Sequence, residues 1–179
     1  MPRETLDRRI QHLQNEILLL GSMVEEAVLN AVDALKRRDV DSAASLYDDD
    51  ILINEKRFAI ENAILILMAT QQPIAHDLRL LAAMLEVSNE LERMGDYAKG
   101  IAKVTMKLHQ IDAPVPIQDI SRMADLAVSM LHRALGAFIN EDIKIARQIP
   151  AEDDVVDELY KKVYHQVVKA MIENPDIID

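Results

Sequence analysis

Two carboxylates four residues apart, Glu92 and Asp96, are the chain's clearest chemical feature. On a helix that spacing is about one turn, so both acids project from one face. A pair of this kind either clamps a hard cation or belongs to an ordinary solvated acidic surface, and the spacing alone leaves both open. Gly95 lies between them, and a glycine inside a helix costs on the order of 1 kcal/mol against alanine, a cost tolerated where something packs close. A second acidic run, Asp48-Asp49-Asp50, precedes it. Three adjacent aspartates repel one another, so they either face water or share a cation with another acidic group.

If the helix bearing Asp50 packs antiparallel to the one bearing Glu92 and Asp96, the three carboxylates form an oxygen-only set. That set suits Mg2+, Mn2+, Ca2+ or iron better than a thiolate-preferring metal. Other chemistry is hard to place. The chain has no cysteine, no glycine-rich phosphate loop and no G-x-S-x-G turn, so disulfides, thiolate metal sites and the familiar nucleophilic apparatus are missing. None of His12, His76, His109, His132 or His165 has an acid three positions before it, so the Glu-x-x-His pattern of di-iron bundles is absent too. Arg79 and Arg93 are expected to be salt-bridge partners that orient the acids.

The elements that must position these acids are helices. Half of the 179 residues are hydrophobic, 3% are aromatic, and there are four glycines and six prolines, a composition poor in turn chemistry and rich in helix formers. Leu6, Ile10, Leu13, Ile17, Leu20, Val24, Ala27, Ala31 and Ala34 mark a first helix from about Arg3 to Arg38, closed by basic residues and followed by Asp39 or Asp41 as a cap. A second, about Val40 to Thr70, buries Ile53, Ile60, Ile64, Leu67 and Met68. Pro73 then suits the first turn of a third helix that ends near His109, with Leu80, Met84, Val87, Leu91, Met94, Ala98 and Ile101 as its apolar stripe.

The prolines of Asp112-Ala-Pro-Val-Pro-Ile117 stop that helix and make residues 113–117 a linker between a unit at 1–112 and a second at 118–179. Beyond it the pattern restarts. A shift of 103 residues lays Ala34 on Ala137, Leu35 on Phe138, Asp39 on Asp142 and Ala43 on Ala146, and it lays Asp50 to Asn54 on Asp153 to Asp157. Chance alignment of Ala- and Leu-rich helices is the competing explanation. With the repeat, helix four spans about Gln118 to Asn140 and helix five about Asp142 to Asn174. Pro175 and Asp179 then fall where a sixth helix begins. The expectation is an all-α protein of tandem three-helix units, the second without its third helix. Leu126, Met130, Phe138, Val156, Val163, Val167 and Met171 would then lack a partner and favour self-association.

With 31 acidic and 20 basic residues the net charge is −11, which repels nucleic acid and anionic lipid. The N-terminus lacks a signal-peptide pattern, and the longest apolar run, Ala63 to Ala69, is far short of a membrane span, so a soluble cytoplasmic protein without membrane insertion is expected.

Gln72-Pro73-Ile74-Ala75-His76-Asp77-Leu78-Arg79, followed by Glu92-Arg93-Met94-Gly95-Asp96-Tyr97-Ala98, resembles the most distinctive segment of the PhoU family, accessory proteins of bacterial phosphate transport and phosphate signalling. The resemblance covers nearly the whole chain and is strongest from Asp50 to Lys103. It implies a PhoU-like helical-bundle repeat, and a non-enzymatic cytoplasmic regulator of phosphate uptake that holds phosphate-starvation signalling off. The partners it implies are the phosphate ABC transporter ATPase and a sensor histidine kinase at the membrane, with a homodimer as the working form. It also implies surface metal, Mg, Mn, Fe or Zn, bound by paired E(D)-x-x-x-D motifs. Glu92 to Asp96 matches one motif. Asp50 to Asn54 resembles its mate with an amide in place of an acid, and Asp153 to Asp157 matches the second-unit motif, whose mate would lie on the sixth helix. A metal-binding bundle with a hydrolase or storage role is the alternative, and a chain that only packs into an oligomer is a third.

Overall fold

The computed structural model describes residues 2–108, 111 and 114–175. Six helices account for the ordered elements among them: α1 (Pro2–Arg37), α2 (Val40–Gln71), α3 (Ala75–Leu108), α4 (Ile117–Ile139), α5 (Ile143–Ala146) and α6 (Pro150–Glu173). The expected end of the third helix at His109, part of the linker and the position of Asp179 lie outside the described residues.

α1, α2 and α3 pack against one another, α4 lies on α1, and α5 and α6 lie on α4. The heptad-like stripe of α1 explains why it is the centre of this arrangement. Ile17, Leu20 and Val24 are fully buried, and their neighbours Leu6, Ile10 and Leu13 continue the same seam. Ile53, Ile60, Ile64 and Leu67 of α2 and Leu81, Met84 and Leu91 of α3 close the core around it.

The third helix is rotated from the stripe expected of it. Its buried line runs Asp77, Leu81, Met84, Ser88, Leu91, Gly95, Ala98, Ala102 and Thr105, whereas Leu80, Val87, Met94 and Ile101 are only half-buried. The reason is that α3 faces both α1 and α2, so its covered sector is wider than one apolar stripe and is centred on small residues that let two helices approach. Ser88 and Thr105 tolerate that burial because each hydroxyl donates to a backbone carbonyl of its own helix, Ser88 to Leu85 at 2.8 Å and Thr105 to Ile101 at 3.0 Å.

Pro73 does not enter α3. Gln72 (φ 48°) and Ala75 (φ 41°) both take left-handed backbone, and the helix starts at Ala75 instead. The expected fifth helix is also broken. Pro150 lacks the N–H that would bond to the carbonyl of Ala146 and its ring crowds that position, so the helix stops after one turn and restarts with Pro150 in the first turn of α6.

The two inter-helix corners are built alike, residue for residue at a spacing of 103. Arg38 (φ 52°) and Glu141 (φ 53°) each take left-handed backbone. The next N–H groups, of Asp39 and Asp142, bond back to Ala34 and Ala137 at 3.0 and 2.8 Å. Asp39 and Asp142 then cap the following helices with their side chains, accepting from the equivalent Ser42 and Ile145 N–H groups at 3.0 and 3.1 Å, and Asp142 accepts from Lys144 N–H as well, at 2.9 Å.

Candidate functional site

The acids singled out by spacing lie in quite different surroundings. Asp48 and Asp49 are exposed, and successive residues of a helix turn by about 100°, which carries Asp50 inward to 4% exposure. Glu92 is half-buried and Asp96 exposed on α3, and Asp153 and Asp157 are both exposed on α6. Among the described residues no three His, Asp or Glu side chains gather where they could hold one metal ion. Arg93 pairs with Glu90, at 2.8 Å and 2.9 Å from its two carboxylate oxygens, rather than with the Glu92–Asp96 pair.

The centre of the site is Asp50. Its Oδ2 accepts from Lys99 Nζ at 2.8 Å and from the side-chain amide of Asn54 at 3.1 Å. Lys99 comes from α3, three residues after Asp96, so the bond ties the two helices together. The ammonium also lies 5.0 Å from the ring centre of Tyr47, near enough for a cation–π contact. The hydrogen bond to Asp50, reinforced by the fields of Asp50, Tyr47 and Asp96, raises the Lys99 ammonium above its ordinary pKa against the opposing effect of burial. Asp50 Oδ1 is buried and has no hydrogen-bond partner among the described residues.

Gly95 makes this junction possible. A Cβ there would stand 3.1 Å from both Cδ1 and Cγ2 of Ile53 and 3.8 Å from Asp50 Oδ1, so the missing side chain is the space into which α2 settles. Beside the junction a cleft of about 260 Å³ opens between the first three helices, lined by Met23, Glu26, Asn30, Asp49, Asp50 and Lys99 among others.

As a metal site this donor set is a poor fit. One oxygen of the buried carboxylate already serves an ammonium and an amide, Asn54 is a neutral side chain whose N–H points at the acid, and the remaining oxygen is closed off from solvent. Lys99 was not among the residues singled out from the sequence. The signal was there, because Glu92, Asp96 and Lys99 follow at steps of four and three on one helix face.

Comparison with known proteins adds the family. The PhoU domain description matches residues 6–105 and again 120–178. The phosphate-specific transport system accessory protein PhoU homolog of Clostridium acetobutylicum is 31% identical over 175 residues, which is 97% of this chain and 80% of that protein. The Escherichia coli accessory protein PhoU is 31% identical over 166 residues, 92% of this chain and 68% of its own length. In three dimensions the crystal structure of PhoU from Pseudomonas aeruginosa matches with a TM-score of 0.88 at 28% identity, covering 96% of this chain and 83% of that one. The phosphate transport system regulatory protein PhoU of Streptococcus pneumoniae matches with a TM-score of 0.86 at 29% identity, covering 94% and 80%. With the PhoU description matched over 6–105 and 120–178, and with relatives aligned along nearly all of its length, the chain belongs to the PhoU family.

Proposed function

We propose that this chain is a cytoplasmic accessory regulator of phosphate uptake, which docks on the phosphate ABC transporter and its sensor histidine kinase and holds phosphate-starvation signalling off when phosphate is plentiful. The observation that carries the proposal is the alignment over 97% of the chain with a protein named as a phosphate-specific transport system accessory protein. The role is one of binding rather than catalysis, and the homodimer implied by the resemblance belongs to the same reading.

Two physical features support it. Long helices offer broad docking faces, and α2 leaves Ile51, Leu52, Phe58, Leu65 and Ile66 exposed. The net charge of −11 favours encounter with basic cytoplasmic loops over nucleic acid or anionic lipid. No helix among the described residues is long and apolar enough to cross a membrane.

The test is a pull-down of the tagged chain from membranes of bacteria grown in high and in low phosphate, with bound proteins identified by mass spectrometry. Recovery of the transporter ATPase or the sensor kinase is expected. Recovery of neither, from cells in which both are detected, would remove the proposal.

A further inference from the structure

Lys99 stands where the family resemblance would put a metal. Its ammonium, on a side chain that α3 supplies, is held from α2 by Asp50 Oδ2 at 2.8 Å and by the Tyr47 ring at 5.0 Å. The Asp50 side chain is 4% exposed and that of Lys99 33%, so the lysine lies over the buried carboxylate from the solvent side. A carboxylate held that deep is strongly disfavoured without a counter-charge. The position therefore demands one positive charge, and the chain supplies it.

The neighbouring residues match one positive charge rather than two. Four residues after Asp50, where the paired motif would carry a second acid, Asn54 adds no negative charge and donates its amide N–H to the same carboxylate oxygen. Gly95 lets the backbone of α3 close over the other oxygen, which is buried and has no hydrogen-bond partner among the described residues. An ion reaching Asp50 has to take the oxygen that Lys99 holds.

We infer that Lys99 is the resident cation of the first unit's acidic site, so that the α2–α3 junction at Asp50 is neutralised without metal and a divalent cation reaches Asp50 only by displacing the ammonium. The inference concerns the site itself and stands independently of which proteins the chain contacts.

Mn2+ is the probe, with bound ion counted from the loss of the free-Mn2+ electron paramagnetic resonance signal and stability followed by Tm. In the wild-type chain the Tm is expected to be the same with chelator and with Mn2+, and Asp50→Asn is expected to leave the Mn2+ stoichiometry unchanged, since any loading occurs at the exposed acids. Lys99→Met is expected to lower the Tm in chelator, to bind one more Mn2+ than wild type, and to recover by roughly 5–10 °C when Mn2+ is about a hundredfold above its Kd. The double variant Lys99→Met/Asp50→Asn should lose both the extra ion and the recovery. A wild-type chain that loses one bound Mn2+ on Asp50→Asn overturns the inference, as does a folded Lys99→Met chain that gains none. The Asp50→Asn arm uses the intact lysine and decides the matter even where Lys99→Met does not fold.

Discussion

Asp39 shows how a single side chain sets the start of an element. Its carboxylate accepts from the Ser42 N–H at 3.0 Å and from the Ser42 hydroxyl at 2.8 Å, which satisfies an N–H that the first turn of α2 leaves without a helical partner. Those two bonds, the backbone one first, with the charge of Arg37 adding to them, hold the Asp39 carboxyl below its ordinary pKa against a smaller opposing effect of burial. A carboxyl whose pKa is lowered by folding contributes stability above its unfolded value, and that contribution is lost as pH falls through the folded value. Asp39→Ala is therefore expected to unfold at lower denaturant than wild type at pH 7. The gap should narrow below about pH 4, measured as paired urea titrations across the acid range; a gap that stays constant there would show that the cap does not act through its charge.

At the scale of elements, glycines decide which helices may touch. A Cβ on Gly21 of α1 would collide with Cδ1 of Leu135 on α4, and Leu135 is itself buried. Valine at this position gains a few tenths of a kcal/mol of helix propensity, while overpacking costs about 1–3 kcal/mol, so Gly21→Val is expected to destabilise the fold by about 1–2 kcal/mol. Leu135→Ala in the same chain vacates the clashing atom, and the double variant should be more stable than the sum of the two single losses. Equal and additive losses would show that the two helices do not meet there. The sequence carried much of this level. The apolar stripes of α1 and α2, the corner at Asp39 and its counterpart at Asp142 all follow from local periodicity and capping chemistry. What was not legible depended on contacts across helices: the sector that α3 buries, set by its two neighbours, and which acid Lys99 meets, since its place on the Glu92–Asp96 face is local but Asp50 lies 49 positions away. The break at Pro150 is a different case, because the residue was in view and its missing N–H was sufficient to predict it.

For the molecule as a whole, burial is concentrated in the first three helices. α1 packs on α2, α3 and α4, whereas α6 is held mainly through α4. Among the described residues of α6, Leu159 is the one buried residue, at 9% exposure, while Tyr160, Tyr164 and Ile172 are exposed. Ion pairs do little to offset this. Lys162 reaches Asp119 of α4 at 2.8 Å with more than half of its side chain in water, and exposed pairs of that kind contribute about 0–1 kcal/mol. Arg133 and Glu152 make a second, partly shielded link between the same helices. Local opening costs least where few apolar groups are covered, so native-state hydrogen exchange should rank the helices by burial. The amides around Ile17, Leu20 and Val24 of α1 and around Leu81, Met84 and Leu91 of α3 are expected to exchange only by global unfolding, and those of α6 by a local opening of lower free energy with little dependence on denaturant. Adding a partner that covers α6 would raise its protection without changing that of α1, whereas equal protection throughout the free chain would mean that α4 and α6 unfold as one cooperative body with the first three helices.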